Sequence, residues 1–374
     1  MHPAPNTQHP TPRKVTSENR TWPRRPQWLT RTMRPPIALA AMALGIAALV
    51  PLPSGATFPG MNGRITFMKA DEAGLFQVWV ANADLSSQVK LTAGPELNTE
   101  PVWAPGGSRI AFTRERTNPD STVVADVFTM KPDGSKVRRL TDFKGITAQS
   151  AYSPDGRLIA FISDQGNYPA EQGIYVALAA DGSSLQRVTK LPANASVDLA
   201  PRFSPDGTQL VFTRYRTRND AEQSALFVVN ADGSGLRRLT SFRVGGRGAG
   251  DADWSPDGTR LVFETIGDPG TNASGIIYVV NVDGSGLTNL TRNRKGTNDQ
   301  TFLDSYDPVW SPDGSKILFS DAIITGGFPP SECKTDLATI NPDGSARAFV
   351  SPDFCSPDAL FQEEEHQADW ESIP

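Results

Sequence analysis

The sequence is poor in the residues that do most enzyme chemistry: its 374 residues include three His and two Cys. His2 and His9 sit in a basic N-terminal stretch, which leaves His366 alone in the body of the chain. A metal centre ligated by several histidines cannot be built from His366 alone. No C-x-x-C, no G-x-S-x-G elbow and no phosphate-cradling glycine loop occurs. Gly245-Gly246-Arg247-Gly248 is glycine-rich, but no helical pattern follows it and it reads as a loop. Long apolar runs are also missing. The one uninterrupted run, Ile37 to Val50, has 14 residues, short of the roughly 20 that a spanning helix needs. Breakers, by contrast, are plentiful: Gly 32 and Pro 31 argue against long helices and for many turns.

The short apolar run follows Arg13, Lys14, Arg20, Arg24, Arg25, Arg31 and Arg34, with Glu18 as the only acid, and precedes Pro51-Leu52-Pro53-Ser54-Gly55-Ala56. This is the order of a secretory signal peptide, with cleavage expected after Ala56. Met33-Arg34-Pro35-Pro36 would serve as a start in its own right. Residues 1–56 are therefore set aside, and 57–374 are expected to form one exported domain, periplasmic or extracellular, with no stable membrane span. The formal charge is −5 for the whole chain, and about −11 once the leader is removed. A body this acidic does not bind nucleic acid through its phosphates. It favours cations and the basic surfaces of proteins or peptides. Cys333 and Cys355 are an even pair in an exported chain, and a disulfide is expected between them, the alternatives being two free thiols or half a metal site. The disulfide would close a loop of about 22 residues, worth roughly 3 kcal/mol.

What the sequence has is a repeat. An aromatic followed by Ser-Pro-Asp-Gly occurs at Tyr152–Gly156, Phe203–Gly207, Trp254–Gly258 and Trp310–Gly314, with a degenerate copy at Trp103–Gly107 and a last aromatic at Trp370. The aromatics recur every 50 to 60 residues or so, a blade-sized period. A β-rich run follows each turn, as in Leu158–Ile162, and a later strand ends in Asp-Gly-Ser, as in Asp232-Gly233-Ser234. Pro presets φ in the first turn, and Asp and Gly close it. A short fourth strand is expected at Leu91-Thr92, Leu140-Thr141, Val188-Thr189, Leu239-Thr240 and Leu290-Thr291. The fold class is therefore all-β, a six-bladed β-propeller of four-stranded blades. Its ring is expected to close by pairing of the C-terminal Ala368-Asp369-Trp370 strand with residues 63–69.

The W-S-P-D-G and N-A-D-G-S pattern resembles the WD40-like (PD40) propeller repeats of the TolB family. The resemblance covers 60–374 and implies a non-enzymatic propeller of the cell envelope or beyond it. TolB proteins carry an α/β domain before the propeller, whereas the first blade here is expected directly after the leader. Similar repeats also occur beside prolyl-oligopeptidase-type hydrolase domains, and none is expected after this propeller.

Antiparallel blades put the Ser-Pro-Asp-Gly and Asp-Gly-Ser turns on one face. On the other lie the connections Glu115–Val124, Tyr215–Gln223, Ile266–Ser274, Arg292–Tyr306 and Ala322–Thr335, read as long variable loops and as the binding face. Three residues before each aromatic, at the channel mouth, stand Glu100, Gln149, Ala200, Asp251, Asp307 and Gln367, with His366 beside the last. Such acids and amides would bind Ca²⁺ or receive a basic side chain; the plainer alternative is that they cap local backbone N–H groups. No catalytic residue and no obligatory cofactor is assigned. The expectation is a monomeric binding protein for a protein or peptide. The alternative is a glycan- or lactone-acting propeller enzyme with an acidic mouth.

Overall fold

The computed structural model describes residues 59–373, apart from 194, 219–220, 245–247, 267–274, 292–300, 326–331 and 351–364; at 221, 266, 301–304, 322–325, 332–336 and 365–367 it describes the backbone alone. Six four-stranded antiparallel sheets make up the fold. Blade 1 holds β1 (Met61–Ala70), β2 (Phe76–Ala81) and β3 (Val89–Lys90), with β24 (Glu365–Ile373) as its innermost strand. Blade 2 is β4 (Leu97–Trp103), β5 (Ile110–Thr117), β6 (Val123–Met130) and β7 (Arg138–Arg139). Blade 3 is β8 (Thr147–Tyr152), β9 (Leu158–Ser163), β10 (Gly173–Leu178) and β11 (Gln186–Arg187). Blade 4 is β12 (Val197–Phe203), β13 (Gln209–Arg218), β14 (Ala221–Asn230) and β15 (Arg237–Arg238). Blade 5 is β16 (Ala249–Trp254), β17 (Arg260–Ile266), β18 (Gly275–Asn281) and β19 (Thr288–Asn289). Blade 6 is β20 (Thr301–Trp310), β21 (Ile317–Thr325), β22 (Glu332–Ile340) and β23 (Ala348–Phe349). Among the described residues, no helix is long and apolar enough to cross a membrane.

The repeated motifs do structural work. In each Ser-Pro-Asp-Gly turn the serine donates to the aspartate, at 2.6 Å for Ser204–Asp206, and accepts from the strand that follows, at 2.8 Å from the Gln209 N–H. The glycine takes a left-handed φ near +69° at Gly207, Gly258 and Gly314. A Cβ on Gly258 would also come within 3.1 Å of Pro205 in the preceding blade, so these turns stack into a ring. The Leu-Thr pairs stand just beyond the two-residue outer strands rather than within them. Their hydroxyls accept an amide within the third strand: Val78 to Thr92 at 2.9 Å, Val127 to Thr141 at 3.0 Å and Leu226 to Thr240 at 3.0 Å. The outer strand is kept short because this side-chain bond ends it.

The core lies between blades. Buried aliphatic and aromatic residues of adjacent sheets form shared clusters; Trp310, Phe319 and Ile317 of blade 6 pack on Val262, Ile277 and Val279 of blade 5. Closure runs from Met61 opposite Ile373 to Lys69 opposite Glu365, two residues longer at its N-terminal end than residues 63–69 alone. Arg64 bonds Glu371 at 2.9 Å, and the Asp369 carboxylate accepts the Trp103 N–H of blade 2 at 2.7 Å. One strand thus ties the ring's two ends and the next blade together.

Two further findings correct the sequence reading. The connections read as long loops are in large part strand: Tyr215–Gln223 is mostly a continuation of β13 and β14, and 301–306, 322–325 and 332–335 are paired strand as well. An Arg-Arg pair on an outer strand, such as Arg138-Arg139, reads from sequence as solvated edge charge, whereas Arg139 bonds buried Asp126 at 2.6 Å. Cys333 lies in β22, but Cys355 is outside the described residues, and so is the expected disulfide.

Removal of residues 366–374 is expected to abolish the single cooperative unfolding transition. Trp370→Ala, at a site 5% exposed, should lower stability by about 3–5 kcal/mol in a denaturant melt.

Candidate functional site

Every innermost strand bends at the same place. The ladder between β4 and β5 skips from Thr99 to Val102, and equivalent skips occur at Ala148/Ala151, Leu199/Arg202, Gly250/Asp253 and Tyr306/Val309. Each is a β-bulge, whose extra residue turns the strand and re-aims a side chain. The bulged residues are Glu100, Gln149, Ala200, Asp251 and Asp307, with left-handed φ of 54°, 54°, 51°, 33° and 53°. Pro101, Pro201 and Pro308 follow three of them, tolerated where the ladder is already interrupted.

These five positions line one cavity of about 50 Å³, together with Arg202 and Ala368 among others. That is room for a few waters, an ion or the tip of one side chain. The structure therefore brings together the ring read from the sequence. Gln367 continues it by position in β24, and His366 stands opposite Met68, but their side chains lie outside what is described.

Part of the ring is engaged in holding blades together. The Glu100 carboxylate accepts the Gln149 N–H at 2.9 Å and the Thr113 hydroxyl at 2.7 Å. The Gln149 carbonyl oxygen accepts the Ala200 N–H at 2.9 Å. At the next step Ala200 has no acceptor, and its counterpart after blade 5 is Glu264, which accepts the Asp307 N–H at 2.8 Å. The capping alternative is thus realised for Glu100 and Gln149. Asp251 makes no side-chain hydrogen bond among the described residues, and its carboxylate, with those of Glu264 and Asp307, forms a half-buried group whose oxygens lie within 4.8 Å of one another.

Charge at the axis is strongly one-sided. Arg202 is the one cation among the residues lining the cavity, against Glu100, Asp251 and Asp307. A second cavity repeats the pattern with Arg202 beside Asp253 and Asp369. Burial pushes the Glu100 carboxyl up from its ordinary value, against the hydrogen bonds from Thr113 and Gln149; Asp251 adds to the rise and Arg202 opposes it. Burial likewise drives Asp369 up to about 7, although the Trp103 N–H and Arg202 favour its ionised form. Counting three residues back from each aromatic misses Glu264, Arg202, Asp253 and Asp369. Arg202, Asp253 and Asp369 immediately precede an a-strand aromatic, so the alignment of repeats carries a signal for them one residue before each aromatic. Glu264 is on a second strand, and only the register places it at the mouth.

No protein-family model matches the chain. A TolB homolog of Chlorobium luteolum is 33% identical over 171 residues, covering 45% of this chain and 32% of the relative. An uncharacterized peptidase, YuxL, of Bacillus subtilis is 27% identical over 172 residues, covering 38% of this chain and 26% of the relative. The chain thus spans about a quarter to a third of the length of these two curated relatives. Among solved structures, TolB from Acinetobacter baumannii superposes with a TM-score of 0.60 at 18% identity, over 82% of this chain and 66% of that one.

An acid whose folded pKa is raised costs stability as pH climbs from its unfolded value, about 4, to its folded one. Stability is expected to fall between pH 4 and about 7 as Asp369 ionises, with Glu100 acting in the same direction. Asp369→Asn, which keeps an acceptor for Trp103, should flatten that part of a melting-temperature profile.

Proposed function

The blades are TolB-like propeller repeats, and on that footing we propose that the chain is an exported binding protein that receives a basic group of a protein or peptide partner at the acidic channel mouth. The observation that carries this reading is the convergence of Glu100, Asp251 and Asp307 on one small cavity that holds a single cation, Arg202. Carboxylates set on bulges of the innermost strands are held by the ring itself, so a cationic side chain meets a prepared charge at little ordering cost. The cavity admits the tip of a lysine or arginine and excludes a large ligand. No turnover is assigned, and the partner's basic surface is complementary to the acidic body.

Fluorescein-labelled hexalysine peptide provides the test. Asp251→Asn with Asp307→Asn is expected to weaken its binding tenfold or more, about 1.4 kcal/mol, with an unchanged melting temperature. Equal binding by the variant, or loss accompanied by unfolding, would remove the mouth from consideration.

A second reading, a propeller enzyme acting on a glycan or lactone, draws on the three clustered carboxylates and on the peptidase-named relative. Hard oxygen donors such as Asp251, Glu264 and Asp307 suit Ca²⁺. Millimolar Ca²⁺ should then raise the melting temperature of the wild type but not of the double variant. Identical melting in Ca²⁺ and in chelator leaves only the binding reading.

A further inference from the structure

Blades 2 and 4 carry the same arginines but not the same counterions. The registers match residue for residue: Arg114, Arg116 and Arg139 of blade 2 occupy the places of Arg214, Arg216 and Arg238 of blade 4. In blade 2 buried Asp126 sits 2.6 Å from Arg139 and 3.7 Å from Arg116, and Arg139 also reaches Asp142 at 2.7 Å. Blade 4 has Ala225 where blade 2 has Asp126, and Ser241 where it has Asp142. Both acids are gone while both arginines remain.

Among the described residues of the blade, no other acid takes their place. Asp198 is engaged by Arg214, at 2.6 and 2.7 Å. Arg216 bonds the neutral Gln223 carbonyl oxygen at 2.9 and 3.2 Å and lies 3.6 Å from the centre of the Phe242 ring; Arg238 lies 5.5 Å from the same ring. No carboxylate pairs with Arg216 or Arg238 among the described residues. Desolvation, with repulsion from Arg218 and Arg238, lowers the pKa of the Arg216 guanidinium. Six other arginines of this acidic chain, at 64, 116, 139, 187, 214 and 347, are paired with carboxylates.

We propose that the Arg216–Arg238 pair is a docking site for a carboxylate supplied by an acidic segment of a partner protein. Blade 2 displays the filled form of the same site. There the second carboxylate, Asp142, has 83% of its side chain exposed while touching Arg139, so its place can be reached from solvent. Both guanidiniums lie against the Phe242 ring, which limits their freedom and reduces the ordering cost of capture. The ladder continues outward through exposed Arg218 on the same face of β13. Alternate residues of a strand stand about 6.6 Å apart, the spacing of alternate carboxylates on an extended acidic peptide. This hairpin rises on the side of the ring that bears the channel mouth, so a partner could offer basic and acidic groups to the two places together.

Fluorescein-labelled hexaglutamate, titrated at low salt against the mature chain and followed by anisotropy, tests the site. The wild type is expected to bind it, with affinity falling as salt rises. Ala225→Asp with Ser241→Asp rebuilds the acids of blade 2 inside blade 4. It should weaken hexaglutamate at least tenfold without lowering the melting temperature, and leave hexalysine binding unchanged. Arg216→Gln with Arg238→Gln should do the same, and decides the matter should the first variant fold poorly. Absence of hexaglutamate binding to the wild type, or equal binding by the variants, overturns the proposal; loss of hexalysine binding alone would count against the channel mouth instead.

Discussion

Pairing of β24 with β1 is the constraint from which the rest of the structure follows. A β-sheet edge is a row of unsatisfied N–H and C=O groups, and a blade has one at each side. In a propeller the inner edges face a central channel, and building the first and last blades as one joins the two ends of the ring by backbone hydrogen bonds. Here that blade is built from both ends of the described chain, Met61–Ala70 and Glu365–Ile373. The strand that closes it carries Asp369, which accepts the Trp103 N–H of the next blade, and Glu371, which holds Arg64. Closure, blade-to-blade registration and the charge of the channel are thus properties of a single strand.

The same economy governs the innermost strands. A straight a-strand would run past the axis, so each one bulges, and the bulge leaves one residue in a left-handed conformation with its side chain turned to the channel. That geometry serves two ends that compete. Where the side chain is Glu100 or Gln149 it reaches the next bulge and joins the blades. Ala200 offers no clamp to the next bulge, and Asp251 and Asp307 line the cavity with the Glu264 carboxylate close to both. The acidic sector therefore lies in blades 5 and 6, where the clamp on Asp307 comes from Glu264 of the second strand and not from Asp251, and the electrostatics of the mouth are asymmetric although the fold is nearly symmetric.

Asymmetry of charge appears again farther out. Burying an ion is unfavourable unless a partner meets it, and the repeat has solved this in blade 2 with Asp126 and Asp142 around two arginines. Blade 4 keeps the arginines, adds Arg218 and omits both acids. A repeat protein offers an internal control of this kind because each blade is the same scaffold with different side chains. Departures from the pattern mark the places where a blade does something besides fold.

Much of this was legible in the sequence. Local turn chemistry, a period of some fifty residues and an unmatched strand at each end determine six blades and their closure, because Pro, Asp and Gly act on φ and ψ within a few residues. The ring of Glu100, Gln149, Ala200, Asp251 and Asp307 was found by counting back from the aromatics, which works because every blade bulges at one register position. What counting could not reach depends on pairing between strands. Glu264 meets Asp307 only because β17 lies across from β16 beside the next blade; Tyr215–Arg218 and Ala221–Gln223, which look like loop, are strand because two polar segments find each other's backbone groups. The loss of counterions at Arg216 and Arg238 likewise becomes visible only when registers equate Asp126 with Ala225. Sequence by itself determined which backbone this chain adopts, since turns and alternation are local; tertiary structure decided which charges meet, since that is settled by contacts between residues far apart in the chain.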